Sequence, residues 1–120
     1  IAETCPFVID TGSDNSLDEF CGVVDACDVI VTADSLCMHI GIALKKRVVA
    51  VFGSTSDVEI DLFDCGEHVV AQAECRPCFK KACPDSEDEF AVCMRGLDPQ
   101  VVAEAVERQL ALCSREVSGC

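Results

Sequence analysis

The sequence predicts an α/β domain, in which a parallel β-sheet carries helices on its faces. Short apolar runs alternate along the chain with segments in which apolar residues recur at helical spacing. The central runs are continuously apolar, which is typical of parallel strands buried on both faces. The length of 120 residues suits one domain with a single modest core, and no repeat or linker divides it. The expected element order is β-α-β-α-β-β-α.

The first predicted elements are a strand and an amphipathic helix. The apolar run Phe7–Asp10 predicts the strand. Ser16 begins the helix, because Ser16 and Glu19 form a capping-box pattern in which each side chain can bind the other residue's backbone N–H. The buried face of this helix is predicted by apolar residues at helical spacing, which are Leu17, Phe20, Cys21, Val24 and Cys27.

A second strand and a second helix follow. The strand is expected over Asp28–Ala33, whose centre is continuously apolar. The helix begins near Asp34-Ser35 and runs to about Lys45. It is apolar nearly all round, which predicts a packed interior helix.

The remainder of the chain predicts two strands and a closing helix. In order, the segments are the buried strand Arg47–Phe52, the loop Ser54–Gly66, the strand His68–Ala73 and a cysteine-rich loop over Cys75–Cys93. Asp98 is the expected N-cap of the last helix. Pro99 fits its first position, because the N–H that proline lacks would be unpaired there. Its buried stripe is expected to be Val102, Ala105, Val106 and Leu110.

The charge of the chain excludes some functions. The net charge of −13 repels polynucleotides and anionic lipid, so no nucleic-acid partner is expected. No stretch reaches the ~18 apolar residues of a membrane-spanning helix. Six of the nine cations lie in two clusters, Lys45–Arg47 and Arg76 with Lys80 and Lys81. These clusters fit either ordinary surface solvation or local attraction for a phosphorylated ligand.

Two strand exits are candidate binding segments, because ligands of parallel sheets bind at the carboxyl ends of strands. At Asp34-Ser35 a strand gives way to a helix, whose N-terminal N–H groups and dipole favour a phosphate or diphosphate. The Ser35 hydroxyl could donate to such a group, and His39 lies one turn further on. The alternative is that Asp34 and Ser35 only cap the helix and that His39 is an interior histidine with its hydrogen bonds satisfied. At the second exit, Gly53 is followed by two hydroxyl residues, Ser54 and Thr55, which an ordinary turn would also explain.

Four of the eleven cysteines are spaced as metal ligands can be. Cys75, Cys78, Cys83 and Cys93 could hold a tetrahedral zinc of structural type. An iron–sulfur cluster, disulfides and unliganded thiols remain open as alternatives. The odd cysteine count and the self-sufficient apolar core favour a reducing compartment. No hydrolytic triad, Walker loop or dinucleotide-binding glycine motif is present in the sequence.

Four motifs, in this order, resemble those of glycosyltransferase family 9, whose best-known members are ADP-heptose:lipopolysaccharide heptosyltransferases. They are the helix start Asp34-Ser35-Leu36-Cys37-Met38-His39 with Ala43-Leu44, the strand exit Val48–Thr55, the loop Cys75-Arg76-Pro77-Cys78, and Cys83-Pro84 with Cys93-Met94. The resemblance runs from about Phe7 to Leu112. Leu36 stands where heptosyltransferases often have glycine, and Ser54 stands where the family usually has proline.

The resemblance implies a GT-B architecture, two Rossmann-like domains that face each other across a cleft. Residues 1–120 would belong to the carboxyl-terminal domain, which binds the nucleotide sugar. Asp34, Ser35, Leu36 and His39 would line the donor diphosphate, with Thr55 close by. An amino-terminal domain would bind the acceptor and supply the catalytic base, so no catalytic residue is expected in this chain, and the chain alone should be inactive.

The resemblance also implies partners and a location. The donor would be ADP-heptose or a similar nucleotide-diphosphate sugar, and the acceptor a lipid-linked or cell-surface glycan of the lipopolysaccharide type. Transfer would invert the anomeric centre without a catalytic metal. The protein would be cytoplasmic, with peripheral membrane association only in its full-length form, of which this chain, beginning at Ile1, is expected to be a part. Two other hypotheses stay open: a small α/β metal-binding module, and a truncated product that folds incompletely.

Overall fold

Residues 4–86 and 91–114 are described by the computed structural model of the chain, in which a three-stranded parallel sheet is flanked by helices. In chain order the elements are α1 (Leu17–Asp25), β1 (Val29–Ala33), α2 (Leu36–Ala43), β2 (Arg47–Phe52), β3 (Gly66–Val70), α3 (Val92–Arg95) and α4 (Pro99–Cys113). The strand order is β1-β2-β3, with Val29 opposite Arg47 and Val48 opposite Gly66. The predicted α/β class is confirmed.

Helices α1 and α4 begin where their capping residues predict. The Glu19 carboxylate accepts from the Ser16 backbone N–H at 2.8 Å, and the Ser16 hydroxyl accepts from the Glu19 N–H at 3.3 Å. The Ser16 N–H and the Ser16 hydroxyl both donate to the Glu19 carboxylate and lower the pKa of Glu19. Asp98 caps α4 by accepting from the Gln100 N–H at 2.9 Å, and Pro99 occupies the first turn. Local side-chain chemistry therefore fixes both helix starts.

The core lies on the two faces of β2, the central strand. Its even-numbered residues pack toward α2 in one cluster, which consists of Met38, Val48, Ala50, Phe52 and Leu62. Its odd-numbered residues pack toward α4 in a second cluster, formed by Val49, Val69 and Ala105. Because a strand alternates its side chains between faces, both sides of β2 must be apolar, as its continuous apolar sequence predicts.

The predicted strand over Phe7–Asp10 is wrong. The segment has no regular secondary structure, and the Phe7 and Ile9 side chains are 91% and 86% exposed. The Val8 N–H bonds locally to the Cys5 carbonyl rather than to a strand. A strand needs a neighbour for its ladder of hydrogen bonds, and in the described chain this segment has none.

Three further expectations need correction. Val31 of β1 is 50% exposed, because α4 packs its buried residues mainly against β2 and β3 and leaves this face of β1 partly uncovered. Helix α2 is less enclosed than its sequence predicts, since only Met38 and Gly41 are fully buried. Strand β3 starts two residues before the predicted His68 and ends at Val70. The short helix α3 was not predicted; residues 87–90 of the cysteine-rich loop lie outside the described residues.

No helix in the described ranges has both the length and the apolarity needed to cross a membrane.

An ion pair between β3 and α4 makes part of the stability depend on pH. The Arg108 guanidinium donates to both oxygens of the Glu67 carboxylate, at 2.6 and 3.1 Å, and lowers the pKa of Glu67 from 4.5. A lowered carboxyl pKa contributes stability above about pH 4.5 that is lost as the pH falls through the folded-state value. We expect Glu67→Gln to lower the thermal unfolding midpoint by about 1–4 °C at pH 7, and by progressively less as the pH is lowered from 4.5 toward 3.

The matched control for this pair is Glu107→Gln on the exposed side of α4. Calorimetry at both pH values should show no pH-dependent difference for this variant. An equal loss for Glu67→Gln at both pH values would contradict the assignment, because a neutral carboxyl no longer pairs with Arg108.

Candidate functional site

The carboxyl ends of β1 and β2 open onto a common cleft of about 270 Å³. The register places Ala33 beside Val51, so that the two strand exits leave the sheet next to each other. The cleft is lined by Ala33, Asp34, Val51, Gly53, Ser54, Thr55, Ala91 and Met94. The structure thus brings together Asp34 and Thr55, two site residues that lie 21 positions apart in the sequence.

Ser35 is the N-cap of α2, but its side chain makes no capping hydrogen bond. The Thr32 hydroxyl donates its one proton to the Ala33 carbonyl at 3.0 Å, so the Ser35 hydroxyl is the donor in its 2.9 Å contact with the Thr32 hydroxyl. The Met38 N–H of the first turn of α2 bonds to the Ser35 carbonyl at 3.1 Å, whereas the N–H groups of Leu36 and Cys37 have no acceptor within the described residues. The beginning of α2 therefore offers unsatisfied donors beside the cleft, as a site for an anion requires.

The other three predicted site residues of the first motif occupy different surroundings. The exposed Asp34 carboxylate forms no hydrogen bond or ion pair within the described residues, so the capping role considered for it is not observed. Leu36, 59% exposed, lines a second cleft of about 420 Å³ beside the start of α1. His39 is exposed on α2 and lines neither cleft. Of the five predicted site residues, only Asp34 and Thr55 therefore line the first cleft, and Ser35, Leu36 and His39 do not.

The loop after β2 is held by the segment that carries the first two cysteines of the cysteine-rich loop. The Arg76 side chain is 11% exposed and donates to the Gly53 and Thr55 carbonyls and to the Asp57 carboxylate. Asp57 has a lowered pKa, first through a hydrogen bond with its own backbone and then through Arg76. The position of the β2 exit thus depends on residues more than twenty positions further along the chain.

The four predicted metal ligands do not form a metal site as the structure places them. Cys93 is buried beneath Gly53, the Cys78 backbone binds the Ser54 carbonyl, and Cys75 is exposed. Within residues 4–86 and 91–114 no three His, Cys, Asp or Glu side chains are grouped so that they could hold a metal ion. No disulfide joins any cysteine of these ranges. The arrangement therefore does not fit a tetrahedral zinc.

Two residues of the basic cluster Lys45–Arg47 bind other parts of the chain. Lys46 pairs with Asp25 at 2.9 Å, and the buried Arg47 donates to the Asp64 carbonyl at 3.1 Å. These residues lie at the amino end of β2, one strand length of roughly 17 Å from the cleft. The cluster is therefore not part of the candidate cleft, because parallel strands have their amino and carboxyl ends at opposite edges of the sheet.

Three residues near the cleft were not foreseen as site residues. Met94 and Ala91 form its wall, and Arg76 holds its loop. Met94 and Arg76 belong to the cysteine motifs, so the sequence analysis included them in those motifs. The spacing of the motifs did not indicate what the two residues contact. Nothing in the sequence singles out Ala91.

Comparison with known proteins gives matches over most of the chain. The model of the family described as "Glycosyltransferase family 9 (heptosyltransferase)" matches residues 9–88, two thirds of the chain. A "Lipooligosaccharide heptosyltransferase 2" of Campylobacter jejuni subsp. jejuni serotype O:6 is 28% identical over 95 residues. A protein of the same description from serotype O:2 is 29% identical over 97 residues.

The coverage of these matches is unequal. The alignments span 78% and 79% of this chain but only 29% and 30% of the two relatives. The chain therefore corresponds to about three tenths of the length of the curated relatives that it matches. No solved structure gives a significant match to it.

Proposed function

The chain belongs to glycosyltransferase family 9, and on that premise we propose that it is the donor-binding part of a sugar transferase. The observation that carries the proposal is the cleft between the exits of β1 and β2, which is lined by Asp34 and Thr55 and flanked by the start of α2. Its ligand is a nucleotide-diphosphate sugar such as ADP-heptose or a related donor.

The diphosphate is the part of the donor that suits this cleft. The first-turn N–H groups of α2 and the positive end of its dipole stabilise an anion without a fixed cation. The Thr55 hydroxyl adds a neutral donor, and the Ser35 hydroxyl adds a second one when its proton turns from Thr32 to the ligand. Because the net charge of −13 repels a free nucleotide at long range, binding depends on short-range hydrogen-bond donors such as these.

Asp34 has a different role in this proposal. A carboxylate repels a diphosphate and accepts hydrogen bonds from hydroxyl groups. We therefore assign the Asp34 carboxylate to hydroxyls of the ribose or the transferred sugar. His39 lies outside the cleft, about one turn into α2, and its proposed contact is with a part of the donor that extends beyond the cleft. Leu36 narrows the approach where heptosyltransferases often have glycine.

The remaining steps belong to the longer protein. An amino-terminal domain would bind a lipopolysaccharide-type or other cell-surface glycan acceptor and supply the base for an inverting transfer. That enzyme would work in the cytoplasm, at the inner face of the membrane. The two relatives are named as lipooligosaccharide heptosyltransferases, which supports this class of acceptor.

The donor site is tested by titrating the reduced chain with ADP and with ADP-sugars while amide chemical shifts are followed by NMR. We expect saturable shifts at Asp34 to His39 and at Gly53 to Thr55. Ser35→Ala and His39→Ala should each weaken ADP binding by about tenfold, the equivalent of one hydrogen bond to a charged group.

The matched control is Ser114→Ala at the far end of the sheet. Ser114 follows α4, whose Cys113 thiol contacts the Asp28 carbonyl at the amino end of β1. This variant should bind ADP as the unmodified chain does. A folded chain in which no amide moves at millimolar ligand would contradict the donor-site proposal.

A structural zinc on Cys75, Cys78, Cys83 and Cys93 remains a prediction from spacing that the geometry does not favour. Elemental analysis of the chain purified without chelators tests it. One equivalent of zinc together with no affinity for ADP would favour the metal-binding module instead of the donor-binding part.

A further inference from the structure

Three successive carbonyl groups after β2 accept hydrogen bonds from one short segment. The Gly53 carbonyl accepts from Arg76 Nε at 2.5 Å, and the Thr55 carbonyl from Arg76 Nη2 at 3.0 Å. Between them, the Ser54 carbonyl accepts from the backbone N–H groups of Cys78 and Phe79, at 3.0 and 2.9 Å. The whole loop exit is thus fixed from one side.

These bonds decide where the neighbouring N–H groups point. A trans peptide is planar, so the N–H of each residue points away from the carbonyl of the residue before it. With the Gly53 and Ser54 carbonyls turned toward Arg76 to Phe79, the N–H groups of Ser54 and Thr55 point to the opposite side. Neither N–H has an acceptor within the described residues, although both residues line the cleft.

Two consecutive N–H groups that lack an acceptor and belong to residues lining one cleft are free to donate to the oxygens of an anion. We infer that Arg76 is a positioning residue for the donor diphosphate, because it holds the β2 exit so that the N–H groups of Ser54 and Thr55 meet a phosphoryl oxygen. This assignment rests on the donor-binding function proposed above. It extends that function to a side chain that does not touch the ligand itself.

Arginine suits this role better than lysine does. Its planar guanidinium presents several donors in a fixed fork, and here the fork spans two carbonyls and the Asp57 carboxylate, which lies 3.2 Å from Nη2. Hydrogen bonds from a charged donor are also stronger than neutral ones. A lysine ammonium is a point charge and can satisfy only part of this geometry.

The experiment compares Arg76→Lys with the unmodified chain in titrations with ADP and with adenosine. We expect Arg76→Lys to weaken ADP binding by about tenfold or more. Adenosine binding, which uses no phosphate, should change less than twofold. In the variant, ADP should no longer shift the amides of Ser54 and Thr55, while the amides at the start of α2 still respond.

Two controls separate positioning from a general effect on stability. Asp57→Asn leaves Arg76 its two carbonyl acceptors, so it should weaken ADP binding less than threefold. Arg108→Lys changes an exposed arginine on α4 that pairs with Glu67, and should leave affinity unchanged. Each variant is also melted by circular dichroism, so that affinities are compared only among folded samples.

The outcomes distinguish the two proposals. If the unmodified chain binds ADP and Arg76→Lys binds it equally well, the positioning role is overturned and the donor site stands. Equal weakening of ADP and adenosine would also overturn it, because the phosphate would not be the group affected. If the unmodified chain does not bind ADP, the donor-binding proposal itself fails.

Discussion

Gly66→Ala is expected to lower the free energy of unfolding by about 3 kcal/mol or more. A Cβ at Gly66 would lie 2.2 Å from the Val48 carbonyl oxygen and 2.9 Å from Leu62 Cδ1. The first contact is with backbone, so no side-chain rotation relieves it. Since Val48 and Gly66 are partners in the ladder, alanine would push β2 and β3 apart where their pairing begins.

Gly22→Ala provides the matched control for Gly66→Ala. A Cβ at Gly22 has no atom within 4 Å, and the residue lies inside α1. Alanine should therefore stabilise the chain by about 0.5–1 kcal/mol. The chain has no Trp or Tyr, so urea unfolding is followed by far-ultraviolet circular dichroism in reducing buffer. Similar midpoints for the two variants would contradict the close strand approach at Gly66.

Phe52→Ala should cost about 3–5 kcal/mol. Phe52 is fully buried beside Met38 of α2, and its ring meets that of His68 edge-on at a centroid distance of 5.1 Å. Truncation would leave a cavity between α2 and the last residue of β2. Because Gly53 follows directly, we also expect weaker ADP binding in whatever fraction stays folded.

Phe7→Ala is the same substitution on a side chain that is 91% exposed. It should change the free energy of unfolding by less than about 0.5 kcal/mol. The comparison removes any general effect of losing a phenyl ring. Equal destabilisation by the two variants would mean that the amino-terminal segment packs against the domain, in conflict with its observed exposure.

The core and the candidate site depend on each other. Met38 and Phe52 belong to one buried cluster, and the two elements that carry them lead into the two sides of the cleft. The cluster therefore fixes the distance between the start of α2 and the β2 exit. Arg76 acts on the same exit from the opposite side, through backbone carbonyls rather than through apolar packing. Core variants should thus affect both stability and binding, whereas Arg76→Lys should mainly affect the binding of phosphate.

Much of the fold could be predicted from sequence because its signals are local. The Ser16–Glu19 capping box and the Asp98-Pro99 start need only residues a few positions apart, and both were found as expected. The composition of strand β2 predicts its position in the sheet, because a strand with apolar residues on both faces has to be covered on both faces. The position of the candidate site followed from the same logic, because parallel strands place their carboxyl ends at one edge of the sheet.

The remaining features depend on contacts between residues distant in the chain. Phe7–Asp10 has the composition of a strand, but no neighbouring strand pairs with it in the described chain. Strand β1 has the composition of a strand buried on both faces, but it lies at an edge of the sheet. The Lys45–Arg47 cluster and the cysteine motifs were recognisable in the sequence, but the sequence did not indicate where they lie relative to the cleft. Only the tertiary structure decided that the cluster lies at the far end of β2 and that Arg76 binds the carbonyls of the cleft loop. Side chains close together in the sequence determine where a helix or strand can form. Which other elements that helix or strand contacts is decided only when the whole chain packs.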